Sequence, residues 1–437
     1  MQKWIKHSLF AVLMLLLILP FLQQQFEVPK VRALKGAFST PPMPGWSFAH
    51  FWDGSFQDSM NKYLENNIGY RPDLVRLHNQ LQYSLFDTIN AQGVIIGKAG
   101  YLFELNYIKA LYGLDYVGDE KVKTDVEKTI VVNNWLKANN KQLIVVLAPG
   151  KGSFFPEFIP DKYRPDSIGK QNYTEYYRLL LENNIDVIGG NDWFNAVKDT
   201  SRYALYPKAG IHWSYYGLGM VFDSVFKLME HHLNSDFIDF EMAEIKVKSK
   251  LRSPDRDLWE GMNIILPPAD YPMPYPEFTF NINNQTKWPR VITVADSYYW
   301  QWFGGGYAAK SFKANSFWYY NKQVHYLDGK PKDRVAVDLF QAVADNEVIL
   351  IIQTDANMDR YGFGFIDELY ALIKDGGSAA LERKMAIKEI ADRISKSDSY
   401  MEVIHEKAKK RGISAEEMLL LDAGWVYDNK QKKENSQ

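Results

Sequence analysis

Three positions pair a reactive side chain with the kind of local context that catalysis uses. Ser297 follows the apolar run Val291-Ile-Thr-Val-Ala295 with only Asp296 between them. A serine at a strand-to-helix turn presents its hydroxyl beyond the sheet edge, where the following amides can stabilise an oxyanion. Serine is equally at home as a helix cap, and spacing alone supports both readings. His212, one of eight histidines, precedes a helical pattern in Gly210-Ile-His212-Trp213-Ser214 and suits either a general base or a surface or capping role. Lys151 lies in Pro149-Gly-Lys151-Gly-Ser-Phe-Phe-Pro156, directly after Leu143-Ile-Val-Val-Leu-Ala148, and suits a salt-bridged scaffold or an anion contact. In an open parallel sheet, ligands bind beyond the carboxyl ends of the strands, so a hydroxyl, an imidazole and a lysine are expected at one edge.

Other chemistries are disfavoured by the same residues. Gly150-Lys151-Gly152 lacks the longer glycine loop and the Lys-Ser/Thr ending of a phosphate loop. The histidines show no H-x-x-x-H pair, so neither a metal nor a cofactor is expected. The absence of cysteine removes disulfides, thiolate zinc sites, cysteine nucleophiles and a lipoprotein-type anchor. With 51 Lys+Arg against 53 Asp+Glu, no electrostatic drive toward nucleic acid exists. Aromatics make up 15% of the chain, a composition compatible with sugar-lined surfaces as well as with an aromatic core.

The elements that must position these residues follow from the apolar pattern. Lys3 and Lys6 precede an uninterrupted apolar run from Leu9 to Leu22, which reads as a signal peptide or a retained signal anchor over residues 1–26. Gln23, Gln24, Gln25 and Phe26 are poor cleavage residues, which favours an anchor with the lysines cytoplasmic and the remainder outside. A proline-rich linker over 27–53 leads to helices near 54–67 and 72–87 and a strand–turn–strand at 93–103. Short apolar runs at 143–148, 185–188, 291–295 and 348–353 alternate with helical patterns at 119–139, 172–183 and 214–232. That rhythm predicts an α/β domain over 54–360 on a parallel sheet flanked by helices. Residues 234–290, rich in proline, read as an insertion, and 361–437 as a charged helical segment.

Ordered motifs carry a resemblance. They are G-K-x-G-Y-L-F (Gly97, Lys98, Gly100, Tyr101, Leu102, Phe103), P-x-K-x-x-x-x-P (Pro149, Lys151, Pro156, continued by Glu157 and Pro160), H-W-S/T-x-x-G (His212, Trp213, Ser214, Gly217) and D-S-Y/F (Asp296, Ser297, Tyr298). Arg71 adds a G-x-R segment upstream. In this order the sequence resembles the SGNH-hydrolase-like domain of the AlgX/AlgJ-like alginate O-acetyltransferase group, over roughly residues 93–355. The resemblance implies an acyl-transfer triad with Ser297 as nucleophile, His212 as base and an acid two residues before the histidine. Position 210 is glycine, so the acid must come from elsewhere. Asp296, Asp255 and Asp257 are the candidates; a carbonyl or water orienting His212, or a domain that only binds, are the alternatives. Gly189-Gly-Asn-Asp192 looks like the SGNH oxyanion block, and capping by Asn191 or Asp192 explains it equally well. Lys151, Trp213 and Tyr298 are candidate substrate contacts.

The function so implied is an extracytoplasmic O-acetyltransferase, anchored by a single pass in the cytoplasmic membrane with its bulk in the periplasm or outside. It would act on hydroxyls of a cell-surface or exported polysaccharide and take acetyl through an MBOAT-type membrane partner. A carbohydrate acetylesterase and an inactive polysaccharide-binding protein are the competing readings.

Overall fold

The computed structural model describes residues 2–36, 40–89, 91, 93–233, 237–281, 287–374 and 378–434. A long helix, α1 (Gln2–Phe26), precedes a short α2 (Phe48–Trp52) and a helical hairpin of α3 (Ser55–Asn67) and α4 (Arg71–Phe86). The ribbon β1 (Val94–Ile96) and β2 (Leu102–Glu104) leads through α5 (Leu105–Tyr112) into α6 (Asp119–Ala138), β3 (Gln142–Ala148), α7 (Lys151–Phe154), α8 (Asn172–Glu182), β4 (Asp186–Gly189), α9 (Gly190–Val197) and α10 (Tyr215–Leu233). An arm of β5 (Asp239–Lys248), α11 (Asp257–Gly261) and β6 (Met273–Asn281) follows. Then come β7 (Arg290–Ala295), α12 (Trp300–Phe303), α13 (Ala308–Ser311), β8 (Ala314–Tyr319), β9 (Gln323–Tyr326), β10 (Lys332–Asp333), α14 (Leu339–Asp345), β11 (Val348–Thr354) and α15 (Phe365–Leu372). Three tail helices, α16 (Ser378–Ile394), α17 (Asp398–Arg411) and α18 (Ala415–Glu434), end the described chain.

The main sheet has strand order β10-β9-β8-β7-β11-β3-β4. From β8 to β4 neighbouring strands run parallel, and every residue of β3 and β11 is buried. Strands covered on both faces must be apolar throughout, which is why these runs are continuous rather than alternating. One face packs under α10, α12 and the arm, where Phe222 stacks on Trp302 at 3.8 Å between ring centroids. The other packs under α6, α8 and α15. The α/β architecture with an N-terminal apolar helix and a helical C-terminus thus stands as expected.

Three features depart from expectation. The sheet is mixed, because β9 and β10 add antiparallel to β8. The β8–β9 turn uses Tyr320 (φ 50°) and Asn321 (φ 51°) in the left-handed region, so no glycine or proline marks it in the sequence. The insertion is an antiparallel two-stranded arm in which Pro274 and Pro276 lie within β6. A two-stranded ribbon is all edge, which is where strand prolines are tolerated; its junctions at 234–236 and 282–286 lie outside the described residues. Finally, α15 buries Phe365, Ile366 and Leu369 against the sheet, so residues 365–372 pack with the main domain rather than with the tail.

Residues 3–26 form a helix long and apolar enough to cross a membrane. At 1.5 Å per residue its 24 residues span about 36 Å, more than the hydrocarbon core needs.

Candidate active site

The strand register brings the sequence-separated candidates to one edge. Ile352 of β11 lies opposite Ala295 of β7, and Thr354 opposite Ala148 of β3, so the residues after all three strands emerge together. Asp296, first beyond β7, is fully buried. Its Oδ2 accepts from Thr354 N (2.9 Å), Thr354 Oγ1 (2.8 Å) and Asn357 Nδ2 (3.0 Å), and its Oδ1 accepts from Tyr298 N (3.1 Å). Asp296 therefore caps the 3-10 turn Ser297–Tyr299 and is committed to holding that turn. The Ser297 hydroxyl, relieved of capping, lies 2.9 Å from His212 Nε2.

On its other side, His212 Nδ1 lies 2.6 Å from Asp257 Oδ2, while Asp257 Oδ1 accepts from Ile211 N at 2.9 Å. One carboxylate thus fixes both the ring and the backbone beside it, the geometry that sets an imidazole tautomer. Of the three candidate acids, only Asp257 reaches the ring. Asp255 instead accepts from Tyr275 Oη at 2.6 Å, and burial raises its carboxyl to about 6. Position 210 explains the arrangement: a Cβ there would fall on the Pro254 carbonyl and the Asp255 backbone. The segment that delivers Asp257 occupies the space that any side chain at 210 would need.

The His212 loop is held from several directions. Lys151 is fully buried, and its Nζ donates to the carbonyls of Lys208 (2.8 Å) and Gly210 (2.6 Å). Tyr298 Oη donates to the Ile211 carbonyl at 2.6 Å, Tyr271 Oη accepts from Ala209 N at 2.8 Å, and Gln301 Nε2 donates to the Trp213 carbonyl at 3.2 Å. Burial lowers the Lys151 ammonium to about 7, against the opposing pull of Asp257 and Glu104. Lys151 and Tyr298 thus hold the His212 loop, and Trp213 packs in the core. All three are fully buried, and none lines the cavities at Ser297. The flanking glycines serve close packing: a Cβ at Gly150 would meet the Asp355 carboxylate, and one at Gly152 the Tyr107 carbonyl.

Asn191 and Asp192 lie within α9 and do not cap it. Gly189 is the cap residue, with no side-chain cap bond. Asn191 accepts from Gly150 N (2.8 Å) and donates to Asp355 (3.2 Å), while Asp192 accepts from Tyr173 Oη (2.7 Å). These contacts tie loops together beneath the site.

Ser297, His212 and Asp257 form part of the walls of two cavities. One, of about 790 Å³, is also lined by Arg71, Glu104, Asn106, Tyr107, Tyr320 and Asn357. The other, of about 380 Å³, is lined by Tyr215, Pro254, Trp300 and Gln301. A further cavity of about 760 Å³ at the amino-terminal edge of the sheet, beside Lys141 and Arg290, holds none of the three. Sequence reasoning missed Glu104 and Tyr320. Burial raises the Glu104 carboxyl, with a further push from Asp257. Burial likewise raises the Tyr320 hydroxyl, which interacts with Ser297, so it remains a donor. Neither sits in a motif that spacing alone would mark. For His212, burial pulls the pKa down, but the Asp257 charge and hydrogen bond, with Asp296 and Glu104, outweigh it and hold the imidazole above its ordinary value of 6.5.

No family model and no curated protein matches the sequence. Among solved structures, the chain is similar to the O-acetyltransferase domain of Pseudomonas putida AlgJ, at 15% identity and a TM-score of 0.41, covering 64% of this chain and 99% of that one. It is similar to Bacillus cereus PatB1 with a sulfonyl adduct, at 13% identity and a TM-score of 0.41, covering 64% and 99%. Pseudomonas aeruginosa AlgX is another, at 12% identity and a TM-score of 0.38, covering 63% and 67%.

Two outcomes are expected. Replacing Lys151 by Met strands the buried Gly210 carbonyl, at about 1–3 kcal/mol, while the Lys208 carbonyl keeps its bond from Leu102 N, and should lower the urea midpoint together with activity. In ester hydrolysis, a base must be neutral, so a raised His212 pKa places the acid limb of the kcat/KM profile above pH 6.5. Asp257→Asn removes the main upward pull and leaves burial opposed only by Asp296 and Glu104, so the limb should move to lower pH. A limb that stays in place in this variant would rule out His212 as the titrating base.

Proposed function

We propose that the chain is an O-acyltransferase that passes acetyl from a donor to a polysaccharide hydroxyl through an acyl-serine. The Ser297–His212–Asp257 contacts, at 2.9 and 2.6 Å and flanked by two cavities, carry this reading. In the first half, Ser297 Oγ bonds to the acyl carbonyl carbon as His212 Nε2 takes its proton. Asp257 stabilises the imidazolium, and the donor's leaving group departs with that proton. In the second half, His212 takes the proton of the acceptor hydroxyl, whose oxygen attacks the acyl-serine; Ser297 leaves and recovers the proton. Tyr320, which lines the larger cavity together with Ser297, is the side chain we assign as donor to the oxyanion. The apolar α1 supports placement on a membrane, with the catalytic domain outside the cytoplasm. Acetyl would then arrive through an MBOAT-type membrane partner.

The esterase reading has one observation in its favour. The side chains of His212 and Asp257 are 15% and 26% exposed, so water can reach the acyl-enzyme as well as a sugar hydroxyl can. The binding-only reading draws on the missing acid at position 210 and on the abundant aromatics; the Asp257 contact argues against the first ground, and Trp213, Trp302 and Trp318 are buried in the core.

Incubation of the full chain with p-nitrophenyl acetate, followed by intact-mass spectrometry, tests the proposal. One acetyl adduct should map to Ser297 and be absent from Ser297→Ala. Adduct formation in that variant would place the nucleophile elsewhere. Acetate release outpacing transfer to an added oligosaccharide would favour the esterase. Tyr320→Phe should retain the adduct but form it about 10²-fold more slowly, the loss typical of one oxyanion donor.

A further inference from the structure

The hairpin of α3 and α4 is built inside out. The face of α4 turned into the protein carries Arg76 and Asn79, which are 5% and 3% exposed. Arg76 donates to the carbonyls of Arg32 (2.7 Å) and Ala33 (2.8 Å), and Asn79 to that of Met262 (2.7 Å). The outer face carries Leu74, Leu77, Leu81 and Leu85, each about half exposed or more. Their spacing makes a continuous apolar stripe along one side of the helix. A soluble protein places such a stripe on its core; here it points away, so an apolar phase must cover it.

The anchor identifies that phase. The turn between α3 and α4 is pinned to α1: Tyr70 N donates to Gln23 Oε1 at 3.0 Å, and Gly69 lies so close that a Cβ would fall on the Pro20 carbonyl. Pro20 is six residues from the end of α1, about 9 Å at the helical rise. If α1 crosses the bilayer centred on its hydrocarbon core of about 30 Å, the turn lies just inside the outer edge of that core. Ile68, beside it, is 45% exposed, and α2, preceding the hairpin, adds exposed Phe48 and Trp52, residue types that favour the membrane–water interface.

We propose that α4 rests its leucine stripe on the outer surface of the lipid bilayer, so that its opposite face, which bears Asn79, walls the larger cavity about one helix diameter above the membrane. The proposal rests on the reading of α1 as a retained anchor. Its occupant is lipid: the stripe is continuous with a turn already at lipid depth, whereas no feature on this face specifies a protein.

The chain has no cysteine, so single-site labelling is direct. Leu77→Cys, Leu81→Cys and, as a control in the loop before α8, Asp166→Cys would carry an environment-sensitive NBD label on the full chain in phosphatidylcholine–phosphatidylglycerol liposomes. Both α4 labels should emit at shorter wavelength than the control and be quenched severalfold by lipids bearing a shallow nitroxide; the control should not. Flotation and carbonate resistance are scored on the same samples. Protein that floats and resists carbonate while its α4 labels behave like the control overturns the proposal and leaves the anchor standing. Protein that fails to float overturns both. Labels shielded in native membranes but not in pure-lipid liposomes would identify a protein as the occupant and overturn lipid docking.

Discussion

A carboxylate 2.6 Å from His212 Nδ1 is the contact on which the chemistry of this site turns, and it exists because position 210 has no side chain. The loop bearing His212 and the segment bearing Asp257 cross there backbone to backbone. An acid placed two residues before the histidine and an acid delivered from the arm are mutually exclusive in this space. The glycine is therefore a condition for the carboxylate rather than a sign of its loss. The same carboxylate also holds the amide of Ile211, so ring and backbone are oriented together.

Around that contact, buried polar groups hold loops that have little apolar surface of their own. Lys151 joins two consecutive stretches of the His212 loop, Asp296 draws β11 and the Ser297 turn together, and Asp355 accepts from Ser153 and Asn191. Each such group is costly to bury and costlier to leave unpaired, which makes the arrangement specific. A displaced loop would strand several partners at once. This rigidity suits an acyl-transfer site, where the reacting atoms must be in place before charge develops.

The apolar helix α1 and the site are mechanically connected. Arg76 and Asn79 of α4 hold the linker at Arg32 and Ala33 and the end of α11 at Met262, while Asn263 exchanges hydrogen bonds with the backbone of Lys35. Helix α11 begins with Asp257 itself. The helical hairpin that contacts α1 thus also supports the helix that bears Asp257, so the position of α1 relative to the site is set by direct packing rather than by a flexible tether.

Much of this was legible in the residues. Strands buried on both faces are necessarily continuous apolar runs, so β3, β7 and β11, and with them the common edge of Lys151 and Ser297, follow from local pattern. The resemblance carried by ordered motifs pointed to Ser297 and His212. What the sequence could not determine depends on long-range packing. Asp257, Asp255 and Asp296 are alike in composition and spacing, and only the arm's path brings Asp257, 45 residues from His212, onto the ring. The β8–β9 turn was hidden because Tyr320 and Asn321 adopt a conformation usually signalled by glycine. Lys151 reads equally as a scaffold residue or an anion contact until tertiary packing encloses it. Local periodicity reports which residues must be buried, because burial acts on each element separately; which polar groups meet is decided when the loops close, and that is a property of the whole fold.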